Sequence, residues 1–362
     1  MLRPQAMEGG SFGVQRRRYI ASTVAALGTV LAGAIWALAG TEAEPISIGQ
    51  PAVDRPVALS RAVRDVSNGA SVLVRAADPV TPRMDGGLFE LSSAGLRRAG
   101  RLRCKQVHAS AAGRGLCLAL SDDGRYEGIV FDSAYREQRR FPVDGVPDRA
   151  RVSRDGRYGA YTTFVGGSSE GYFANLHAFK TGTRIVDLRT GRSVLRLDED
   201  LDVTRGGKPY KPADSQYWGV TFGSRGSFYA TMAAPLAHYL IKGRIGSKRA
   251  RIVGRHIECP SLSPDGTRIA YKRRIKFRTA WRLHVLDLRT GADVALAERR
   301  SIDDQPEWLG NDHVVYSDDR ALFAVRADGR GAVEQLAQHA TSPAFIDDTT
   351  GSPDGQIRRE QP

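Results

Sequence analysis

Apolar residues in this chain come in short bursts. Beyond the first forty residues, no run longer than about ten places apolar side chains at i, i+3, i+4 and i+7, the spacing of one helix face. What recurs is a cluster of four to seven β-branched, aromatic or Leu residues bounded by Gly, Asp, Pro and Ser. That pattern predicts many short strands joined by turns.

The stretch CPSLSPDGTRIAYKRR, residues 259–274, shows the unit most fully. An apolar residue stands four positions before the turn Gly266, and an apolar run starts three positions after it. RARVSRDGRYGAYTTF repeats the arrangement around Gly156, GVTFGSRGSFYATM around Gly226, and QPEWLGNDHVVYSDD with Asp312 in the glycine slot; HASAAGRGLCLAL follows it more loosely around Gly113. The turn positions 113, 156, 226, 266 and 312 lie 43, 70, 40 and 46 residues apart. A period of roughly 40–50 residues is that of propeller blades, and the longer gap contains an insertion. Second hairpins, such as LHVLDLRTGADVAL and LFAVRADGRGAVEQL, bring each unit to four strands, a blade.

The closing blade is expected from both ends of the chain. TSPAFIDD (341–348) reads as a first strand with nothing after it; ASVLVRA and GLFELSSAGLRRAGRL (70–102) read as second to fourth strands with nothing before them. Joining them removes an open edge, which would otherwise invite aggregation. The expectation is an all-β, six-bladed β-propeller over residues 70–348, preceded by an N-terminal transmembrane or signal helix. The repeat read from Cys259 to Tyr271 resembles that of TolB-like six-bladed propellers (WD40-like repeats). The resemblance implies an exported propeller whose default role is partner binding, although some propellers are domains that gate peptidases.

The first eighteen residues are basic, and Tyr19 to Gly40 carries no charge over twenty-two residues. That length suffices to cross a bilayer as a helix, with Arg16, Arg17 and Arg18 held on the cytoplasmic side. Ala37-Leu38-Ala39 also offers a cleavage site, so two readings stay open: a single-pass membrane protein with the propeller outside the cytoplasm, or a secreted or periplasmic one. Residues 41–69 read as a linker and 349–362 as a disordered polar tail. Of three cysteines, Cys104 and Cys117 are spaced to bridge a hairpin edge, leaving Cys259 as a buried thiol; three unpaired core cysteines are the alternative.

Charge changes the picture modestly. The chain is +13, of which the first forty residues supply +3. The body therefore attracts polyanions and anionic lipid, but without basic runs interleaved with aromatics it does not read as a specific nucleic-acid binder.

Connections after first and third strands, such as SPDG, SRDG and DLRTG, are tight and share one end of the ring. Long insertions at 77–87, 166–182, 199–216 and 272–282 fall after second or fourth strands, on the other end. Long loops on a rigid scaffold usually carry function, so binding is placed there. Gln106, Arg149, Tyr217, Glu258, Gln305 and Ser342, at the starts of the innermost strands, are expected to line the channel mouth. Lys272, Arg273, Arg274, Lys276, Arg278 and Arg282 are expected to form a basic loop, for an anionic envelope polymer or as a solvated hairpin.

Catalytic motifs are sparse. Gly167-Ser168-Ser169-Glu170-Gly171 fits a nucleophile elbow in spelling but lacks the α/β sheet such an elbow needs. No metallopeptidase helix, phosphate loop or dinucleotide fingerprint occurs, so no cofactor is expected. His108, near an innermost strand, is the candidate for a hidden multi-blade site, with a structural histidine as the alternative; Asp303 and Asp304, with Glu258 nearby in the ring, are candidate oxygen ligands for calcium, with solvated turn carboxylates as the alternative. The expected function is non-catalytic binding of a protein or envelope polymer by a monomeric propeller; the alternative is a hydrolase or lyase at the channel mouth.

Overall fold

The computed structural model describes residues 70–76, 86–92, 95–166, 180–235, 237–276, 280–318 and 321–347. The expected anchor, linker, tail, nucleophile-elbow spelling and Arg278 lie outside these residues. Among the described residues no helix is long and apolar enough to cross a membrane.

Six sheets, antiparallel but for one pairing in the third, account for the described strands. Blades 1 to 5 begin with the innermost strands Gln106–Ala109, Val146–Val152, Gln216–Phe222, Glu258–Leu262 and Glu307–Leu309. Blade 6 takes its innermost strand from the C-terminal Ala340–Asp347 and its other three from Ala70–Ala76, Gly86–Ser92 and Gly95–Cys104. Val72 faces Phe345 and Leu73 faces Ala344 in that pairing, so the ring closes as the terminal half-blades predict. Buried apolar side chains fall into one main cluster at each of the six blade interfaces. Alternation explains this: each strand sends successive side chains to opposite faces, and both faces of a blade are covered by neighbours.

The tight end is built from a repeated piece of turn chemistry. In blade 4, Ser263 Oγ donates to Asp265 Oδ1 at 2.6 Å, Thr267 N donates to the same oxygen at 2.9 Å, and Gly266 adopts φ +73°. Ser153, Asp155 and Gly156 repeat it in blade 2, at 2.6 Å and φ +64°. The carboxylate thus organises the turn and glycine supplies the left-handed residue. Gly219, at φ +63°, has a different reason: a Cβ there would sit 2.8 Å from Cys259 Cα, so the innermost strands of blades 3 and 4 approach too closely for any side chain.

Two expectations are corrected here. The insertion at 199–216 is folded rather than a long loop. Leu197–Asp200 forms one helical turn, Asp202–Arg205 pairs in parallel with the outer strand Arg249–Arg255, and Lys208–Pro209 extends it, giving blade 3 six strands. Leu197, Leu201 and Val203 are buried between blades 2 and 3, which anchors the insertion and accounts for much of the 70-residue gap between turns. Cys104 and Cys117 are bridged, with Cα atoms 5.4 Å apart, and Cys259 is free and buried. The bridge ties the outer strand of blade 6 to the second strand of blade 1, not the two sides of a hairpin, because the strand ending at Cys104 leads directly into the next blade.

Candidate functional site: the channel and the long-loop mouth

Five of the six expected mouth residues lie on innermost strands, and Gln305 sits two positions before the innermost strand of blade 5. They form no single cluster. Ser342 Oγ, on a residue at φ +53°, donates to Gln106 Oε1 at 2.8 Å, tying blade 6 to blade 1. Gln305 Nε2 donates to the carbonyls of Val220 at 3.1 Å and Pro260 at 2.9 Å, tying the blade 4–5 connection to two innermost strands. Tyr217 does not line the mouth: its side chain is 2% exposed and packs in the core between blades 2 and 3. Burial pushes its phenol up to about 12. In a strand one position decides the face, and the neighbouring Gln216 takes the mouth side instead.

Arg149 and Glu258 belong to a charged network across the channel. Arg149 Nη1 donates to Asp148 Oδ1 at 2.8 Å, and its Nη2 lies 3.9 Å from Asp303. Lys272 pairs with the same Oδ1 of Asp303. Burial opposes the charged forms of Arg149 and Lys272, yet the carboxylates beside them leave both pKa values raised. Burial likewise works against the Asp303 carboxylate, but Lys272 and Arg149 outweigh it and hold its pKa below the ordinary range. Glu258, 1% exposed, accepts from His238 Nδ1 at 2.7 Å, Arg274 Nε at 3.1 Å and Trp281 Nε1 at 3.3 Å. Burial again pushes its pKa up, and the His238 bond with the charges of His238, Lys272 and Arg274 brings it down to about 2.

His108 is the buried partner of a second network. Val152 N donates to its Nδ1 at 3.1 Å, so the ring proton is on Nε2, which donates to Glu307 Oε2 at 3.1 Å. Arg151 pairs with the same carboxylate and donates to the Pro306 carbonyl at 2.9 Å. Burial first, and the Arg151 charge second, drive the His108 pKa well below its ordinary value, so the imidazole is neutral at physiological pH. With both ring nitrogens engaged, His108 holds blades 1, 2 and 5 together and has no lone pair left for a substrate.

The basic segment is corrected in the same way. Lys272, Arg273, Arg274 and Lys276 lie in the strand Arg268–Lys276, and Arg282 in Ala280–Asp287, leaving only 277–279 as the connection. Arg273 pairs with Asp293 at 2.5 Å, Arg274 with Glu258, and Arg282 Nη2 donates to the Leu296 carbonyl at 3.1 Å. Arg273 and Arg274 are thus engaged within blade 4, and Lys272 and Arg274 also lie over the Trp281 ring at 4.9 and 5.3 Å. Asp303 and Asp304 do not form a calcium site. Asp303 is held by Lys272, while Asp304 accepts from Ser317 N at 2.8 Å, Ser317 Oγ at 2.6 Å and Gln305 N at 2.8 Å. Among the described residues no group of three or more His, Cys, Asp or Glu side chains could hold a metal ion.

What remains open is on the long-loop end. A cavity of about 390 Å³ lies between blades 2 and 3, lined among others by Val165, Lys180, Asp198, Gln216, Trp218 and His238. Its size is that of a site for a small ligand or a few side chains of a partner. Asp198 is engaged by Arg184 at 2.5 Å, and the Trp218 ring meets His238 edge-on, 5.5 Å between centroids. His238 therefore joins the cavity wall to buried Glu258. Sequence reading had no signal for this cavity, since its walls come from segments spread over 165–238.

No family model matches the chain, and no curated relative does. Among solved structures it resembles TolB from Acinetobacter baumannii, with TM-score 0.54 and 17% identity over 77% of this chain and 66% of that one. It also resembles a chain of a nidogen/laminin complex, with TM-score 0.50 and 10% identity over 77% of this chain and 99% of that one. A TolB assigned to Agrobacterium tumefaciens aligns with TM-score 0.43 and 13% identity over 77% of this chain and 93% of that one. At these identities the likeness concerns the fold, a TolB-like six-bladed propeller.

Proposed function

We propose that the protein is a non-catalytic propeller that works outside the cytoplasm and binds a protein partner through the long-loop end. The observation that carries this is the contrast between the channel and its mouth. The channel side chains that resemble catalytic groups are each spent on a neighbour across blades, whereas the mouth holds a preformed cavity bordered by the ends of the longest insertions. A hydrolase or lyase needs an acid or base free to meet substrate, and neither Glu258 nor His108 is.

Two further features support the reading. The Cys104–Cys117 bridge is of a kind that persists in oxidising compartments, in keeping with the uncharged segment 19–40 as anchor or signal. One of the solved structures it resembles is a chain of a nidogen/laminin complex, and a like fold here suits a protein ligand.

A photo-crosslinking residue placed at Val165, Asp214 or Ala234 on the cavity rim is expected to give one adduct of defined mass in intact cells. Placed at Asp155 or Asp265 in the tight turns, it is expected to give none. Adducts from the tight end alone, or from neither end, would reject the assignment. A reporter active only outside the cytoplasm, fused after Gly40, tests the compartment separately and is expected to be active.

A further inference from the structure

Blade 3 and its insertion carry most of the net charge of the chain. Between residues 201 and 256 there are ten Lys and Arg against two Asp, so +8 of the +13. Elsewhere about half of the described basic side chains pair with a carboxylate, among them Arg125 with Asp123, Arg136 with Asp132, Arg140 with Glu137 and Arg300 with Glu298. Among the described residues of blade 3 only Lys248 does, 3.9 Å from Asp200.

Strand register shows that four of these cations share a face. Lys242 stands opposite Arg251, and Arg244 opposite Arg249. Residues two apart point the same way, and their neighbours Leu240 and Val253 pack toward blade 4, so the four lie on that side of the blade. Arg244, Arg249 and Arg251 are exposed, and Lys242 is half-buried over the Tyr229 ring. Strands about 4.8 Å apart and a repeat of about 7 Å along each strand set the grid of positive charge. Asp202 is level with Arg249 in the parallel pairing.

We propose that this face of blade 3 is a docking surface for a linear acidic polysaccharide, separate from the long-loop mouth and independent of the function proposed for it. Closely spaced guanidinium groups suit regularly repeated carboxylates, which they bind bidentately. Two other polyanionic partners fit less well. Among the described residues, none of the exposed large hydrophobic side chains, which include Val146, Val165 and Ile275, falls between 201 and 256, so none of these is offered there for insertion into a lipid surface. The tyrosines nearby are already covered, Tyr229 by Lys242 and Tyr239 by Arg205 and Arg255, so no platform is open for nucleic-acid bases. Blade 3 also lies three positions around the ring from blade 6, where the described chain begins.

The test compares the full chain with two charge-matched variants on immobilised alginate, a chain with one carboxylate per sugar. One variant carries Lys242→Gln, Arg244→Gln, Arg249→Gln and Arg251→Gln; the control carries Arg125→Gln, Arg136→Gln, Arg139→Gln and Arg140→Gln on blade 1. The first is expected to lose affinity about tenfold and to show a shallower salt dependence; the control should stay within about twofold of the parent. Equal losses would mean that only net charge matters and overturn the site. Parent protein that ignores alginate, or that prefers phosphatidylglycerol vesicles, duplex DNA or polyglutamate at equal salt, would overturn the partner.

Discussion

Around the channel Arg151 and Lys272 each meet a carboxylate from another part of the ring, whereas on the outer strands of blade 3 Lys242 stands level with Arg251 and Arg244 with Arg249, and Asp202 is level with Arg249 on the next strand. The side-chain types are the same; the solvent is not. A buried charge is tolerated only when paired and hydrogen-bonded, so folding itself demands the channel pairs. An exposed arginine keeps its water, and folding demands nothing of it. Pairing in the channel therefore reports stability, and the lack of it at the edge leaves room for a ligand.

The contrast is broken most directly at Glu307. Glu307→Ala strands Arg151 in the interior and removes the acceptor of His108, and it is expected to cost about 3–5 kcal/mol in urea unfolding. Replacing both partners, Arg151→Met with Glu307→Leu, should recover much of that loss, because the unpaired charge goes with its partner. A loss below about 1 kcal/mol for the single change would show that the channel pairs are no more demanding than surface ones.

Acid sharpens the comparison next. Glu258 titrates in the fold at about 2 against an ordinary 4.5. Its depressed pKa means the stabilisation is complete above about 4.5 and is lost as pH falls through about 2. The contribution is on the order of 3 kcal/mol. Stability measured from pH 6 to pH 2 should fall more steeply for the parent than for Glu258→Gln, which is less stable at pH 6. Parallel profiles would mean that Glu258 is not held as a carboxylate by His238 and Arg274.

The fold was legible because its signals are local. A Ser-x-Asp-Gly turn needs only five residues, and the half-blades at 70–102 and 341–348 announce their missing strands. The channel was legible only as a place. Lys272 meets an acceptor 31 residues away and His108 one 199 residues away, so linear spacing carried no hint of either pair and a strand-borne basic segment read as a loop. Tyr217 was misplaced by a single step of alternation, next to a register shift between Trp218 and Thr221. The insertion after Arg196 was missed because its four-residue strand gains order only from the neighbouring blade edge, which no local pattern encodes.

The smallest expected effect has the opposite sign and tests the edge alone. Like charges directly opposite each other on neighbouring strands repel, and both Lys242–Arg251 and Arg244–Arg249 are such pairs. Arg251→Glu replaces one repulsion by an attraction without entering the core, so at low salt it should raise stability by about 0.2–1 kcal/mol. The gain should vanish near 1 M salt, where screening reaches only about 3 Å. Alginate binding should fall in the same variant, so stability and binding move in opposite directions. A loss of stability at low salt would mean that Arg251 has a structural partner, and the cationic face of blade 3 would then be explained by folding, as the channel is.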